Sequence, residues 1–116
     1  MHQQGILATT AFDVHGYRVV RHLGIVRGIT VRTRSVIGKL GAQLRGIVGG
    51  QVEVYVSMCE TARAEAMDYM LGHAQQMGAN AVIGMRYDTT EVDAGMTEMV
   101  CYGTAVVVEP LPATPH

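Results

Sequence analysis

Cysteine, histidine and methionine are the side chains of this sequence best suited to chemistry. The 116-residue chain holds two Cys, five His and eight Met. Cys59, Met70, His73 and Met77 recur at intervals that place them on one helical face, and Met99 and Cys101 alternate onto one face of a strand. If those faces packed together, Cys59, Cys101 and His73, with Met70 or Met99, would make a soft site suited to Cu or Zn, as Cu(I) or Zn(II). Such a site needs sulfur and nitrogen donors converging at about 2.0–2.3 Å. The same residues have a plainer reading, in which the cysteines are small buried hydrophobes, the methionines fill gaps in a core, and His73 is a satisfied core or interface side chain. No Cys-x-x-Cys or His-x-x-x-His spacing is present. His15 and His22 lie beside the first strand and read as surface histidines, unless a symmetric assembly were to bring copies of one of them together near an axis.

Other chemistries find less. Asp88 with Glu91, or Asp93 with Glu98, are paired acids at a strand end and turn, where acids are usually solvated. Cys101 has no assignable His base, and Thr9, Thr10 and Ser35 lack a recognisable partner. Gly38-Lys39 fails as a phosphate loop, because Thr33 stands where the motif needs Gly and Leu40 replaces its Ser or Thr. The chain is expected not to be an enzyme.

Positioning these side chains requires an α+β framework. Gly78-Ala79-Asn80-Ala81 ends a long amphipathic segment and starts a strand, and Gly at the position after a helix reverses the chain at no steric cost. Residues 51–77 put Val52, Tyr55, Val56, Cys59, Ala62, Ala66, Met70, His73, Ala74 and Met77 on one stripe of a long helix. Gln51–Val56 alone also alternates like a strand. Val54, Met58 and Leu71 fall off the stripe and suit a subunit contact. Upstream, Tyr17 to Arg34 is β-rich, a long strand or a hairpin, with Gly24 and Gly28 placed for bulges or close backbone approach. Thr9 to Asp13 suits a short strand or extended arm after a ragged start, His15-Gly16 a turn, and Ser35 to about Arg45 a short helix. Downstream, Ala81 to about Val92 and Met96 to Glu109 are strands. In the first, Ala81, Ile83, Met85 and Tyr87 share a face by simple alternation. The second is apolar on both faces, so it belongs in the middle of a sheet. Residues 1–109 form one domain, and 110–116, with three prolines, a loose tail.

Composition bears on partners. Hydrophobic residues make up 48% and charged ones 16%, below the usual quarter. A small domain with so little charge is expected to cover surface by self-association. The net charge of −1 hides an asymmetry: residues 1–50 carry seven basic side chains against Asp13, and residues 51–116 carry nine acids against Arg63 and Arg86. No aromatic interleaving or nucleic-acid motif accompanies the basic half, so nucleic acid is not expected, and compensation within or between subunits is. The apolar runs are too short for a membrane span, Met1–Gly5 predicts no secretory leader, and two cysteines make no disulfide framework. A cytoplasmic protein with reduced thiols is expected.

Three blocks carry a resemblance: Gly78-Ala79-Asn80-Ala81-Val82-Ile83-Gly84-Met85-Arg86-Tyr87-Asp88, Arg45-Gly46-Ile47-Val48-Gly49-Gly50, and Tyr102-Gly103-Thr104-Ala105-Val106. In order and spacing they resemble the signature of the YbjQ family, over about residues 8–108. The resemblance implies a dodecin-like β-α-β-β subunit, a helix on an antiparallel sheet, closing into a ring that is a homopentamer in this family. It also implies a heavy-metal-binding label without a ligand set, and the matched glycines and alanines supply no soft donors. Dodecins stack flavin on Trp, which this chain lacks, so flavin does not carry over.

Overall fold

The computed structural model describes residues 5–33, 51–93 and 95–112. Strand β1 is Leu7–Ala8, β2 is Tyr17–Thr33, helix α1 is Gln51–Gln76, β3 is Ala81–Asp93 and β4 is Met96–Pro110. The strands form one four-stranded sheet in the order β1-β3-β4-β2, with α1 across one face. The sheet is mixed, not purely antiparallel, because β1 runs parallel to β3 at Ala81 and Val82 while β2 and β3 flank β4 antiparallel. The short N-terminal strand falls at Leu7–Ala8 instead of Thr9–Asp13, because Thr9 and Ala11 reach β3 across its bulge, Thr9 N to Val82 O at 3.0 Å and Gly84 N to Ala11 O at 2.8 Å. The expected helix at 35–45 and the Arg45–Gly50 block lie outside the described residues.

Helix α1 carries Glu53 in its first turn, at the end whose dipole it complements, and His73 in its last. Its end follows from Gly78, at φ +88°. The Ala79 N–H donates to Ala74 O and the Gly78 N–H to Gln75 O, both at 3.0 Å, satisfying carbonyls that a helix end leaves open. Asn80 then locks the chain onto β4. Its side chain donates to Val108 O at 2.9 Å and accepts from Val108 N at 2.8 Å, copying a strand residue's pair of ladder bonds.

β2 is a single strand of 17 residues, not a hairpin. Its register against β4 slips between Val19 and Arg21 and between His22 and Gly24, so Gly24 does sit at a bulge. At Gly28 the helix comes so close that a Cβ would lie 2.0 Å from Ala66 O and 2.6 Å from Met70 N; only Gly fits there.

The core beneath α1 holds Val26, Ala66, Met70, Leu71, Ala74, Val82, Met85, Cys101 and Ala105, with Ile6 and Ala8 packed against it. Burying side chains the size of Met70, Leu71 and Val26 contributes roughly 1.5–3 kcal/mol each. A smaller cluster of Val14, Ala81, Ile83, Val106 and Val108 fills the opposite face at one end of the sheet. Two expectations need correction. Ala81 and Ile83 do not share a face with Met85 and Tyr87: an extra β3 residue enters between Ile83 and Arg86, at Gly84 with φ +62°, and turns Met85 toward the helix. Leu71 is fully buried, because the N-terminal segment packs against the cluster that holds it. β4 lies centrally, as its two apolar faces require. The rest of the face opposite α1 is bare: Ile25 is 73%, Ile29 42%, Val31 42% and Tyr102 37% exposed.

Candidate metal centre

The expected trio of Cys59, Cys101 and His73 does not converge within one chain. Cys59 and His73 share α1 but lie fourteen residues apart, about 21 Å along the axis at 1.5 Å per residue. Among the described residues, no three His, Cys, Asp or Glu side chains gather as a metal site.

Each member has its own surroundings. Cys101 is fully buried on β4, and its thiol donates to Met70 Sδ at 3.5 Å. Burial pushes its pKa up to about 11, partly offset by a hydrogen bond with Tyr87, so at neutral pH it is a protonated core group. Tyr87 is itself raised, first by burial and then by Cys101; its hydroxyl donates to Arg63 O at 3.5 Å. His73 is exposed on the last turns of α1, and its Nδ1 accepts the Arg27 N–H in a long bond of 3.5 Å. Met70 therefore partners a cysteine, in a core and not at a ligand site.

Cys59 lies near the other end of α1, where it is exposed. Beside it is a cavity of about 250 Å³ between the helix and the far end of the sheet, lined by Met58, Cys59, Met99, Arg32 and Arg63 among others. Met99, placed beside Cys59 as an alternative donor by strand alternation, does line this cavity. Met58 joins it from a position off the helical stripe, because a side chain at the stripe's edge still reaches a cavity flanking the helix. Both guanidinium groups are held: Arg32 Nη2 lies 2.8 Å from Glu65 Oε2, and Arg63 stacks over the Tyr87 ring at 5.4 Å from its centroid. Met58 and Cys59 project from a helix and Met99 from a strand, so the backbone beneath the sulfurs is regular.

His15 and Asp13 line a larger groove of about 980 Å³ beside the N-terminal arm, and His22 is exposed on β2. The acids weighed for acid–base work do not meet Cys101: Asp88 and Glu98 pair in register with Val100 and Thr90, on the sheet face away from the buried thiol.

An α+β chain with one helix on a mixed four-stranded sheet and a sulfur-lined cavity at the helix flank is thus the class defined. The model of the YbjQ family, described as "Putative heavy-metal-binding", matches residues 6–109. The chain is 56% identical over 105 residues to a UPF0145 protein of Chromobacterium violaceum, covering 90% of each. It is 54% identical over 102 residues to a UPF0145 protein of Burkholderia lata, covering 88% of this chain and 86% of that one. A solved structure of a DUF74-family protein of unknown function from Pediococcus pentosaceus aligns at a TM-score of 0.59 and 19% identity, over 91% of this chain and all of that one, a likeness of fold. The chain belongs to the YbjQ family.

Proposed function

We propose that this protein is a homo-oligomeric binding protein for a soft heavy-metal ion, assembled as a ring, cytoplasmic, and not an enzyme. The observation that carries the assembly is a pair of one-sided strands. Among the described residues, β2 is paired only on its β4 side, and β3 beyond the N-terminal arm, over 86–93, is likewise paired only with β4. Long one-sided strands are templates for another chain. They also differ in charge: β2 carries Arg18, Arg21, Arg27 and Arg32 and no acid, whereas the one-sided part of β3 carries Asp88, Glu91 and Asp93 against Arg86. Joining β2 of one copy to β3 of the next is a head-to-tail contact, and such contacts close into rings when the rotation allows. Five copies is the number implied by the family resemblance. The exposed Ile25, Ile29 and Val31 supply apolar area near the joint, and a radius of gyration of 18.1 Å exceeds the roughly 13 Å of a compact chain this long.

The metal part rests on the family description and on the cavity sulfurs. Among the described residues no helix is long and apolar enough to cross a membrane. Light scattering on tag-free protein tests the assembly. We expect a closed oligomer that R21E/R27E weakens at low salt. A lone, well-behaved protomer at micromolar concentration refutes it. Metal analysis of the reduced protein tests the ligand. A metal-free ring under all conditions favours the alternative, a structural or interaction protein whose ring receives a partner.

A further inference from the structure

We infer that Cys59, Met58 and Met99 form a site for one soft monovalent cation, Cu(I) or Ag(I), in the cavity between α1 and the sheet; this rests on the metal-binding reading above. Three sulfur-bearing residues from two elements line one space, two methionines and one cysteine. Among the described residues lining it there is no carboxylate and no imidazole. That donor set selects by softness: thiolate and thioether suit Cu(I), whereas Mg, Ca and Mn want oxygen and zinc sites are completed by several thiolates or imidazoles.

Charge narrows the class further. Binding releases the Cys59 proton to solvent, and one thiolate with one monovalent ion is neutral. A divalent ion would leave a net positive charge beside Arg32 and Arg63. Arg32 is paired with Glu65, and Arg63 lies over the Tyr87 ring. Cys101 takes no part, since it is fully buried against Met70.

The test is titration of the reduced, full-length protein with Ag(I), followed by calorimetry and by NMR of the methionine methyl groups. One ion per chain is expected, with the Met58 and Met99 methyl signals shifting and the Met70 signal unmoved. Met99→Leu, which keeps volume and packing, should weaken binding at least tenfold, Cys59→Ser by more, and Cys101→Ser not at all. Zn(II) should compete poorly. If Ag(I) binds Met99→Leu and Met58→Leu as tightly as the natural chain, the ion sits on a bare thiol and the three-sulfur site is wrong. If Cys59→Ser leaves stoichiometric binding intact, the site lies elsewhere while the metal-binding reading stands. If the natural chain takes up no soft ion, both fall.

Discussion

Replacing Gly28 with Ala should be among the most damaging single-methyl additions in this fold. A Cβ at Gly28 would lie 2.0 Å from Ala66 O, 2.6 Å from Met70 N and 2.7 Å from Tyr69 Cβ. Two of these neighbours are helix backbone, so no side-chain rotation relieves the clash. Ordinary contact begins at 3.4 Å, so α1 must retreat by about 1.4 Å where it crosses β2, and close-packed interiors give way poorly. Overpacking costs about 1–3 kcal/mol, and lifting the helix also thins the contacts of Val26, Met70 and Cys101 beneath it. A loss of about 3 kcal/mol, or on the order of 10 °C in Tm for a chain this size, is expected. Calorimetry at matched protein concentration measures it, since the proposed assembly would make Tm concentration-dependent. Gly16→Ala is the control: its Cβ meets nothing within 4 Å at φ +81°, so it isolates backbone strain, about 1 kcal/mol. A Gly28→Ala protein melting within about 2 °C of the natural chain would refute the close crossing.

Further outcomes follow from the same packing. Asn80→Asp keeps the acceptor for Val108 N but sets a carboxylate against Val108 O, so chemical denaturation should show a loss of about 2 kcal/mol; an unchanged midpoint would mean the side chain is not bonded to β4. Leu71→Ala should cost about 2–4 kcal/mol while Val56→Ala, more than half exposed, should be nearly neutral, and the reverse order would mean the buried stripe of α1 is misplaced. Native alkylation at pH 8 should modify Cys59 and spare Cys101, read by peptide mass spectrometry. The Cys101 thiol is raised from 9.0 to about 11 by burial, so the unfolded state loses its proton first as pH rises. Its contribution to stability is complete below about pH 9 and declines between 9 and 11. Cys101→Ala should flatten that decline in a denaturation series against pH, and an unflattened profile would assign it to other groups.

How much of this was legible beforehand depends on which physical period the residues obey. The turn at Gly78 was readable because positive φ and a helix end both call for glycine, and β4 was readable as central because both of its faces are apolar. The mid-strand change of face in β3 was hidden, because strict alternation assumes one residue per step and the Gly84 bulge inserts an extra one. The signature Asn80 reads as a small backbone residue in sequence, yet its side chain does the work of a strand. Cys59, His73 and Cys101 do not meet within one chain, for a geometric reason. A helical wheel shows angle and discards distance, so residues about 21 Å apart look adjacent. The cavity beside Cys59 needed coordinates, since Met58 lies off the stripe and only the helix–sheet placement brings Met99 to it.

Where a site's donors come from determines how metal content should scale with assembly. Met58, Cys59 and Met99 all belong to one chain, so a protomer kept apart by charge reversal on β2 should still bind one monovalent ion. A site built from copies of His15 or His22 about an axis behaves oppositely: it vanishes with the ring and holds one ion per ring, not one per chain. Titrating Ag(I) into natural and R21E/R27E protein at equal chain concentration separates the two. Equal uptake per chain in both keeps the donors within a single protomer. Uptake that disappears as the oligomer dissociates, or that saturates at one ion per ring, moves the metal from the helix flank to the symmetry axis.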